Sequence, residues 1–248
     1  MSCYNSNLHY LEEQIESIID QTEKDWELLV YDDGPVSIKE FIKWYQDQVP
    51  NIKYFNKGHL GYAGAYKFLL DVAWGEYVCF CDHDDIWEPD KLEVEKKYLD
   101  EHPDVDCVFG WLKWFGEKNK LESFQISDEQ ISKDLYFYQP IKNPTVMFKR
   151  ICFDSFDSPF DCGADFWFWA KYKDRHYHLI EKVLVNYRRH VGEATKDKSA
   201  FRLGSAKVIQ ESLKNRFGKE IPLDLCAKLD KYSKTYNDDM KRLVEGLL

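Results

Sequence analysis

The chain has 248 residues, a formal net charge of −10 and 16% aromatic residues. This length suffices for one large α/β domain or for a core domain with a short appendage, and we expect the second arrangement. The acidic balance argues against non-specific binding to nucleic acid or anionic lipid, because neither polyanion attracts an acidic surface. The aromatic content indicates a chain that is folded along its length.

The cysteine pattern and the hydropathy indicate in which cellular compartment the protein is found. Seven cysteines at irregular spacing form no C-x-x-C pair, which does not suggest a disulfide framework. The sequence shows no signal peptide and no apolar run of about 18 residues, the length that a membrane span needs. We therefore expect a cytoplasmic protein, with peripheral docking at the cytoplasmic face of a membrane as the alternative.

The first part of the chain alternates helical and strand-like patterns. Apolar residues recur at helical spacing, and short apolar runs between these segments are typical of buried strands. The predicted helices cover 8–21, 37–48 and 62–74, and the predicted strands cover 26–31, 51–55 and 76–81. Repeated units of this length indicate a largely parallel sheet with helices on both faces, which places ligands at the carboxyl ends of the strands.

The rest of the chain has a less regular pattern. The predicted helices cover 89–101 and 164–173, and the predicted strands cover 105–114, 144–148 and 178–187. Polar residues over 117–132 predict a flexible loop above the site. Beyond residue 200 the pattern predicts two charged amphipathic helices, over 201–217 and 223–247, separated by Gly218 and Pro222.

Three aspartates crowd the carboxyl end of the predicted strand 76–81. Asp82, Asp84 and Asp85 follow this strand directly, with His83 among them. Crowded carboxylates repel one another unless a cation neutralises them, and hard oxygen ligands suit Mg²⁺ or Mn²⁺. The alternative is that these residues only cap the helix that begins near Pro89. The cluster is a candidate metal site.

The sequence from Gly61 to Leu92, GYAGAYKFLLDVAWGEYVCFCDHDDIWEPDKL, resembles the central signature of family 2 glycosyltransferases with the GT-A fold. Trp26 to Gly34, WELLVYDDG, resembles the second strand of that family, and Tyr4 to Ile19 resembles its opening. The resemblance implies a Rossmann-like three-layer α/β sandwich and an inverting transfer from a nucleoside diphosphate sugar. It places a catalytic domain at 1–199, with a nucleotide-sugar-binding half at 1–110 and an acceptor-binding half at 111–199, followed by a C-terminal helical extension at 200–248.

The same resemblance assigns the metal and the base contacts. Asp82 and Asp84 stand at the metal-binding positions, with Asp85 beside them as a supporting carboxylate. The base contacts it implies are a stacking Tyr4, an Asp33 carboxylate that accepts from the imide N–H with Asp32 nearby, and Gly61, which allows close backbone approach. An aromatic face suits base stacking, and a carboxylate acceptor distinguishes a uracil or thymine edge from cytosine. The alternatives are an ordinary Asx turn at Asp32–Gly34 and a simple strand-to-helix turn at Gly61.

A catalytic base is expected near the start of the predicted helix 164–173. Gly163 to Trp169, GADFWFW, resembles the E-D motif of the family, with Ala164 where the family usually has Glu. Asp165 is the candidate base that deprotonates the acceptor hydroxyl. Asp157 and Asp161 are alternatives, and Asp165 could instead serve only the helix dipole. Trp167 and Trp169 are candidates for bordering the acceptor, or are core residues.

The segment Val183 to His190, VLVNYRRH, resembles the Y-R-x-H segment of the family. His190 is therefore a candidate for completing the metal or diphosphate site, although a lone histidine near a strand end is often structural. The cations that could neutralise charge on the departing diphosphate are Arg188, Arg189 and Lys196.

The start of the chain departs from the family pattern. The first strand of the family is longer than the three residues that precede Tyr4 here. This strand is therefore either shortened to residues 1–4 or begins upstream of the printed sequence.

The expected partners are a UDP-, dTDP- or GDP-linked sugar and a glycan or lipid-linked acceptor, in polysaccharide assembly. The C-terminal helices could form a homodimer or dock on a membrane-bound partner. Two other functions compete with this interpretation. A sugar nucleotidyltransferase would need a Gly-rich basic loop after the first strand, which residues 2–8 lack. A catalytically impaired glycan-binding or scaffold relative would fit Ala164 but not the intact acidic cluster.

Overall fold

The computed structural model describes residues 1–191, 198–218 and 220–232, and it shows an α/β protein. The described residues form two compact units that interleave along the chain. Unit 1 comprises residues 1–127, 141–157 and 175–191, and unit 2 comprises residues 128–140, 158–174 and the described residues from 198 onward. The predicted α/β class is confirmed. The division into a catalytic domain and a helical extension stays a prediction.

The first part of unit 1 alternates strand and helix, as the sequence predicts. The elements are β1 (Ser2–Cys3), α1 (Leu8–Ile19), β2 (Leu28–Asp32), α2 (Lys39–Gln46), β3 (Ile52–Phe55) and α3 (Gly61–Val72). The three strands form a parallel sheet in the order β1-β2-β3, with Cys3 opposite Asp32. A first strand is thus present within the printed sequence, as two residues paired with the carboxyl end of β2.

The local chemistry explains where α1 begins and which face it buries. The Asn7 side chain accepts hydrogen bonds from the backbone N–H groups of His9 (3.0 Å) and Tyr10 (3.4 Å), as an N-cap should. Leu11, Ile15 and Ile18 recur at helical spacing and are buried in the unit 1 core. The opposite face carries the polar residues that matter for the site.

A second sheet builds the rest of unit 1. Its strand order is β4-β8-β6-β9-β5, with β7 paired to β6, and only β6 and β9 run parallel among the pairs described. The elements of this part are β4 (Tyr77–Val78), β5 (Ile86–Trp87), α4 (Lys91–Glu101), β6 (Cys107–Gly116), β7 (Lys120–Glu122), β8 (Met147–Lys149) and β9 (Tyr177–Arg189). The parallel pattern that the sequence predicts holds for the first sheet, whereas the second sheet is mixed.

Three local predictions were wrong in detail. The expected loop 117–132 contains β7 and the start of α5 (Asp128–Asp134). β7 is an exposed edge strand, so its residues lack the apolar alternation that reveals a half-buried strand. The expected strand 144–148 begins as a 3₁₀ turn, Asn143–Thr145, because Pro144 has no N–H to give to a ladder. The expected strand 76–81 is regular only at Tyr77–Val78, and β5 was not predicted.

Unit 2 is helical. It contains α5, α6 (Ala164–Lys171), α7 (Lys198–Phe217) and α8 (Leu223–Tyr232). Its core joins Phe166 and Ala170 of α6 to Ile209 and Leu213 of α7. The predicted helix 223–247 is confirmed as far as Tyr232, and its remainder lies outside the described residues. None of the helices in the described ranges has the length and apolarity that a membrane crossing requires.

Candidate active site

The pairing of β5 with β9 assembles the acidic end of the site. β5 runs antiparallel to β9, with Ile86 opposite Asn186 and Trp87 opposite Val185. The residues that precede β5 therefore lie beside the residues that end β9. As a result the His190 Nε2 atom lies 2.9 Å from Asp84 Oδ2, although 106 positions separate them in the chain. Both side chains are about one fifth exposed, at 21% and 20%.

Asp85 is the buried member of the cluster. One of its oxygens, Oδ1, accepts the backbone N–H of Arg188 at 2.9 Å, and the other has no hydrogen-bond partner among the described residues. Burial raises the pKa of the Asp85 carboxyl well above its ordinary value, and the charges of Asp82 and Asp84 raise it further. An orphaned carboxylate oxygen among three acidic groups is a position where a nearby cation would stabilise the fold.

Asp82 belongs to the same loop but faces α3. Its Oδ1 accepts a hydrogen bond from the Tyr66 hydroxyl at 3.2 Å. Tyr66 is buried and also donates to the Cys81 carbonyl at 3.4 Å. Asp82 is thus tied to a different element from Asp84. The acidic loop therefore presents its carboxylates from two sides.

The donor set suits a hard divalent cation. The Asp84–His190 contact of 2.9 Å is a hydrogen bond, and two ligands of one cation, bound at about 2.1 Å and at right angles, would lie at a similar spacing of about 3 Å. Within residues 1–191, 198–218 and 220–232 no three His, Cys, Asp or Glu side chains converge as a complete site. Mg²⁺ and Mn²⁺ sites of nucleotide enzymes often take one or two protein ligands and fill the rest with phosphate oxygens and water. The residues present fit a metal of that kind.

The predicted base-binding residues meet at the end of β2. Tyr4 is 52% exposed, and its ring centroid lies 5.6 Å from that of His59. Asp33 is buried; its Oδ1 accepts the Leu60 N–H at 2.5 Å, and its Oδ2 lies 3.0 Å from His59 Nδ1. An exposed aromatic face beside an oriented carboxylate is an arrangement that can stack a base and accept from its N–H edge.

Asp32 and Gly61 have local tasks as well. The Asp32 Oδ2 atom accepts from the Tyr54 hydroxyl (2.7 Å), from the Ser37 hydroxyl (3.1 Å) and from the Ile38 N–H (3.1 Å) at the start of α2. This carboxylate organises the β2–α2 turn, and its role toward a nucleotide stays a prediction. Gly61 begins α3 at φ +71°, a conformation that L side chains rarely adopt.

Asp165 lies in the first turn of α6, in unit 2. The helix starts after Gly163, whose φ of +86° requires glycine. Burial raises the pKa of the Asp165 carboxyl, and the Phe166 N–H and the Gln139 side chain partly offset this. A carboxyl with a raised pKa is a better proton acceptor than an ordinary aspartate.

The other predicted residues near the acceptor separate into core and surface. Trp169 is fully buried, at 0% exposure, so it is a core residue and does not border the acceptor. Trp167 is half-buried and packs edge-on against Phe160 with centroids 5.5 Å apart. Asp157 is exposed and forms an ion pair with Lys67 at 2.5 Å, and Asp161 is exposed. Lys196 lies outside the described residues.

Arg188 and Arg189 point to different places. The Arg188 guanidinium contacts Glu13 and the Asp84 backbone, and its side chain is only 10% exposed. The Arg189 guanidinium lies over the Trp114 ring, 4.7 Å from its centroid. The sequence patterns did not predict that Tyr10 and Glu13 contact Arg188. Their only signal is a spacing of three on the polar face of α1, which by itself indicates a solvated face.

The fold and the acidic loop are those of a GT-A glycosyltransferase. Residues 1–175 match the description Glycosyl transferase family 2, and this chain belongs to that family. It is a glycosyltransferase, which excludes the nucleotidyltransferase alternative.

Two relatives illustrate the breadth of the family. An uncharacterised glycosyltransferase of Methanocaldococcus jannaschii is 31% identical over 199 residues, which cover 76% of this chain and 69% of the relative. The Escherichia coli enzyme WfgD, UDP-Glc:alpha-D-GlcNAc-diphosphoundecaprenol beta-1,3-glucosyltransferase, is 28% identical over 68% of this chain and 66% of its own. Matches to two Rickettsia glycosyltransferases span only 24% of those longer chains.

Solved structures support the fold. Staphylococcus aureus TarS in complex with UDP-GlcNAc superimposes with a TM-score of 0.71 at 18% identity, over 92% of this chain and 68% of that one. The mannosyltransferase PcManGT of Pyrobaculum calidifontis, in complex with GDP-Man and Mn²⁺, gives a TM-score of 0.62 at 19% identity, over 99% and 71%. At these identities the likeness confirms the GT-A fold.

Proposed function

We propose that this chain transfers a sugar, with inversion, from a nucleoside diphosphate sugar to a hydroxyl group of a glycan or lipid-linked acceptor, and that it needs Mn²⁺ or Mg²⁺. The observation that carries the proposal is the 2.9 Å approach of His190 to Asp84 beside the buried Asp85. The partners named for WfgD, TarS and PcManGT support a nucleoside diphosphate sugar as donor.

On the donor side, each residue has a distinct task. Tyr4 stacks on the base, and Asp33 accepts from its N–H edge, with Asp32 holding the turn that carries Asp33. Gly61 lets the backbone approach the donor. Asp84 and His190 would hold the divalent cation with Asp82 beside them, and the buried Asp85 would support this loop by accepting the Arg188 N–H. When bound, the cation neutralises charge on the leaving diphosphate.

On the acceptor side, the Asp165 carboxylate takes the proton of the acceptor hydroxyl. The acceptor oxygen then forms the bond to the anomeric carbon while the bond from that carbon to the diphosphate oxygen breaks. The nucleoside diphosphate leaves with the electron pair, and the anomeric configuration inverts. Arg189 is the candidate for a cationic contact to the diphosphate, and Trp167 for a border of the acceptor site.

The wider setting follows from the same chemistry. We propose a cytoplasmic enzyme of polysaccharide assembly, acting alone or docked at the cytoplasmic face of a membrane. Homodimer formation through the C-terminal helices belongs to the same proposal, and analytical ultracentrifugation would test it.

A donor screen tests the proposal. Purified protein is incubated with UDP-, dTDP- and GDP-sugars, with Mn²⁺, with Mg²⁺ or with EDTA, and release of the nucleoside diphosphate is measured. We expect release with one nucleotide class, lost in EDTA and reduced at least about 100-fold in Asp84→Asn, because this change removes one of the two cation ligands that converge.

The matched control is Asp71→Asn, an exposed aspartate on α3. It removes the same charge from the same unit and should leave turnover unchanged. The absence of both turnover and metal-dependent nucleotide binding under every donor would favour the glycan-binding scaffold. Full activity in EDTA would exclude the metal.

A further inference from the structure

The Arg188 side chain makes both hydrogen bonds and aromatic contacts with the protein. Its Nη2 donates to Glu13 Oε2 at 2.7 Å, and its Nε donates to the Asp84 carbonyl oxygen at 2.8 Å. Its guanidinium also lies over the rings of Tyr10 and Phe115, 4.3 and 4.4 Å from their centroids. The backbone N–H of the same residue donates to Asp85 Oδ1 at 2.9 Å.

These contacts join three elements around the acidic loop. Glu13 and Tyr10 come from α1, Phe115 comes from β6, and Arg188 itself ends β9. Arg188 is therefore bonded to the backbone of one acidic residue and to the carboxylate of the next. The loop before β5 is fixed to β9 at two adjacent positions.

The same end of β9 carries the proposed metal ligand. His190 is two residues beyond Arg188, and its ring packs edge-on against Tyr10 with centroids 5.3 Å apart. Tyr10 thus touches both the Arg188 guanidinium and the His190 ring. Arg188 is hydrogen-bonded to the Asp84 backbone, and Tyr10, which contacts Arg188, packs against the His190 ring. These contacts therefore fix where Asp84 and His190 lie relative to each other.

A guanidinium held in this way has a different task from one that meets a substrate phosphate. Glu13 already balances its charge, and two of its donors face protein acceptors. Two aromatic rings lie within cation–π distance of it, and its side chain is only 10% exposed. A diphosphate contact would compete with a charge-assisted bond and with a packed environment.

We propose that Arg188 is a positioning residue: it holds the Asp84–Asp85 backbone at a fixed distance from His190, and Glu13 and Tyr10 hold Arg188. It makes no contact with the diphosphate. This inference rests on the proposed function, because it concerns the same cation site.

Three substitutions and one control test it. Arg188→Met keeps the packing between the rings without the hydrogen bonds, Arg188→Lys keeps the charge without the planar fork, and Glu13→Gln leaves Arg188 in place without its counter-charge. The control, Arg202→Met, removes an exposed arginine of α7. Free Mn²⁺ is measured by electron paramagnetic resonance as protein is titrated, with Mn²⁺ alone and with UDP present. Thermal unfolding of each variant confirms folding.

We expect the Mn²⁺ dissociation constant to rise about 10- to 100-fold in both Arg188 variants, as for other residues that orient metal ligands, and less in Glu13→Gln. In EDTA the variants should bind UDP with the same affinity as the wild-type protein. Saturating Mn²⁺ should restore the additional UDP affinity that the wild-type protein gains from Mn²⁺. If Arg188 met the diphosphate directly, Arg188→Lys would largely rescue binding and saturating Mn²⁺ would not. That result overturns the inference.

Other outcomes are equally decisive. If Arg188→Met does not fold, Glu13→Gln decides, and an unchanged Mn²⁺ affinity in that variant overturns the positioning role. If wild-type protein shows no Mn²⁺ binding and UDP binds equally in EDTA, the cation site of the proposed function fails, and the inference fails with it.

Discussion

Asp165 shows how the surroundings of an aspartate change the pKa of its carboxyl group. Asp157, Asp161 and Asp165 lie within nine positions of one another, and each could accept a proton in principle. Asp157 is exposed and paired with Lys67, so its charged form is stabilised by a cation. Burial instead raises the pKa of Asp165, which makes its carboxylate a stronger proton acceptor than an ordinary aspartate. The environment therefore distinguishes Asp165 although the family motif is altered at Ala164.

Asp165→Asn should reduce kcat by about 100- to 10,000-fold, the range for loss of a general base, and leave donor binding unchanged. The base must be ionised to act. Since the pKa is raised, wild-type activity should fall as pH drops through a value above the ordinary ~3.9 of aspartate. Initial rates across pH, with calorimetry for donor binding, measure both effects. Asp174→Asn, an exposed aspartate of unit 2, is the control, and near-normal kcat in Asp165→Asn would assign the base elsewhere.

At the scale of elements, the crossing of α6 and α7 depends on a glycine. A Cβ at Gly204, inside α7, would lie against the Cys162 carbonyl oxygen, closer than van der Waals contact. The same backbone of Gly204 lies close to Gly163, whose φ of +86° sets the start of α6. Because Asp165 is in the first turn of α6, the close approach of α7 also fixes the backbone that carries the proposed base.

Gly204→Ala should therefore destabilise the protein by about 1–3 kcal/mol, as overpacking does, although glycine to alanine inside a helix normally stabilises by about 1 kcal/mol. Urea unfolding followed by circular dichroism measures the change. Asn215→Ala, at an exposed position of the same helix, is the control and should stabilise slightly. A gain in stability for Gly204→Ala would show that the two helices separate readily.

At the scale of the whole molecule, every cysteine is buried or partly buried, and the structure shows no disulfide among the residues it describes. Burial raises the thiol pKa to about 12 for Cys3 and Cys79 and to about 11 for Cys152 and Cys226. Thiolate is the reactive form, so at pH 8 these four thiols should be unreactive in the folded protein.

Ellman's reagent should therefore react slowly with most thiols of the native protein, and rapidly with seven after denaturation. The urea midpoint should be the same with and without reductant, because no disulfide constrains the chain. A lower midpoint in reductant, or fewer than seven thiols after denaturation, would contradict this.

The fold class, the order of the first elements and the family could be predicted from the sequence, because they depend on local periodicity and on residues that are close along the chain. The run from Gly61 to Leu92 carries helix, strand end and acidic cluster in one segment. The acidic cluster could be recognised for the same reason, since three carboxylates within four positions repel one another in any fold.

Which side chains meet in the site could not be predicted in this way, because it depends on strand pairing and packing between distant parts of the chain. The contact of Asp84 with His190 depends on the antiparallel pairing of β5 with β9, and β5 is too short for its periodicity to be read. Arg188 contacts Glu13, Tyr10 and Phe115, and the first of these contacts joins residues 175 positions apart. Burial of Trp169 and the raised pKa of Asp165 likewise follow from packing. Local patterns fix which elements form, whereas desolvation and long-range pairing decide what each charged residue can do.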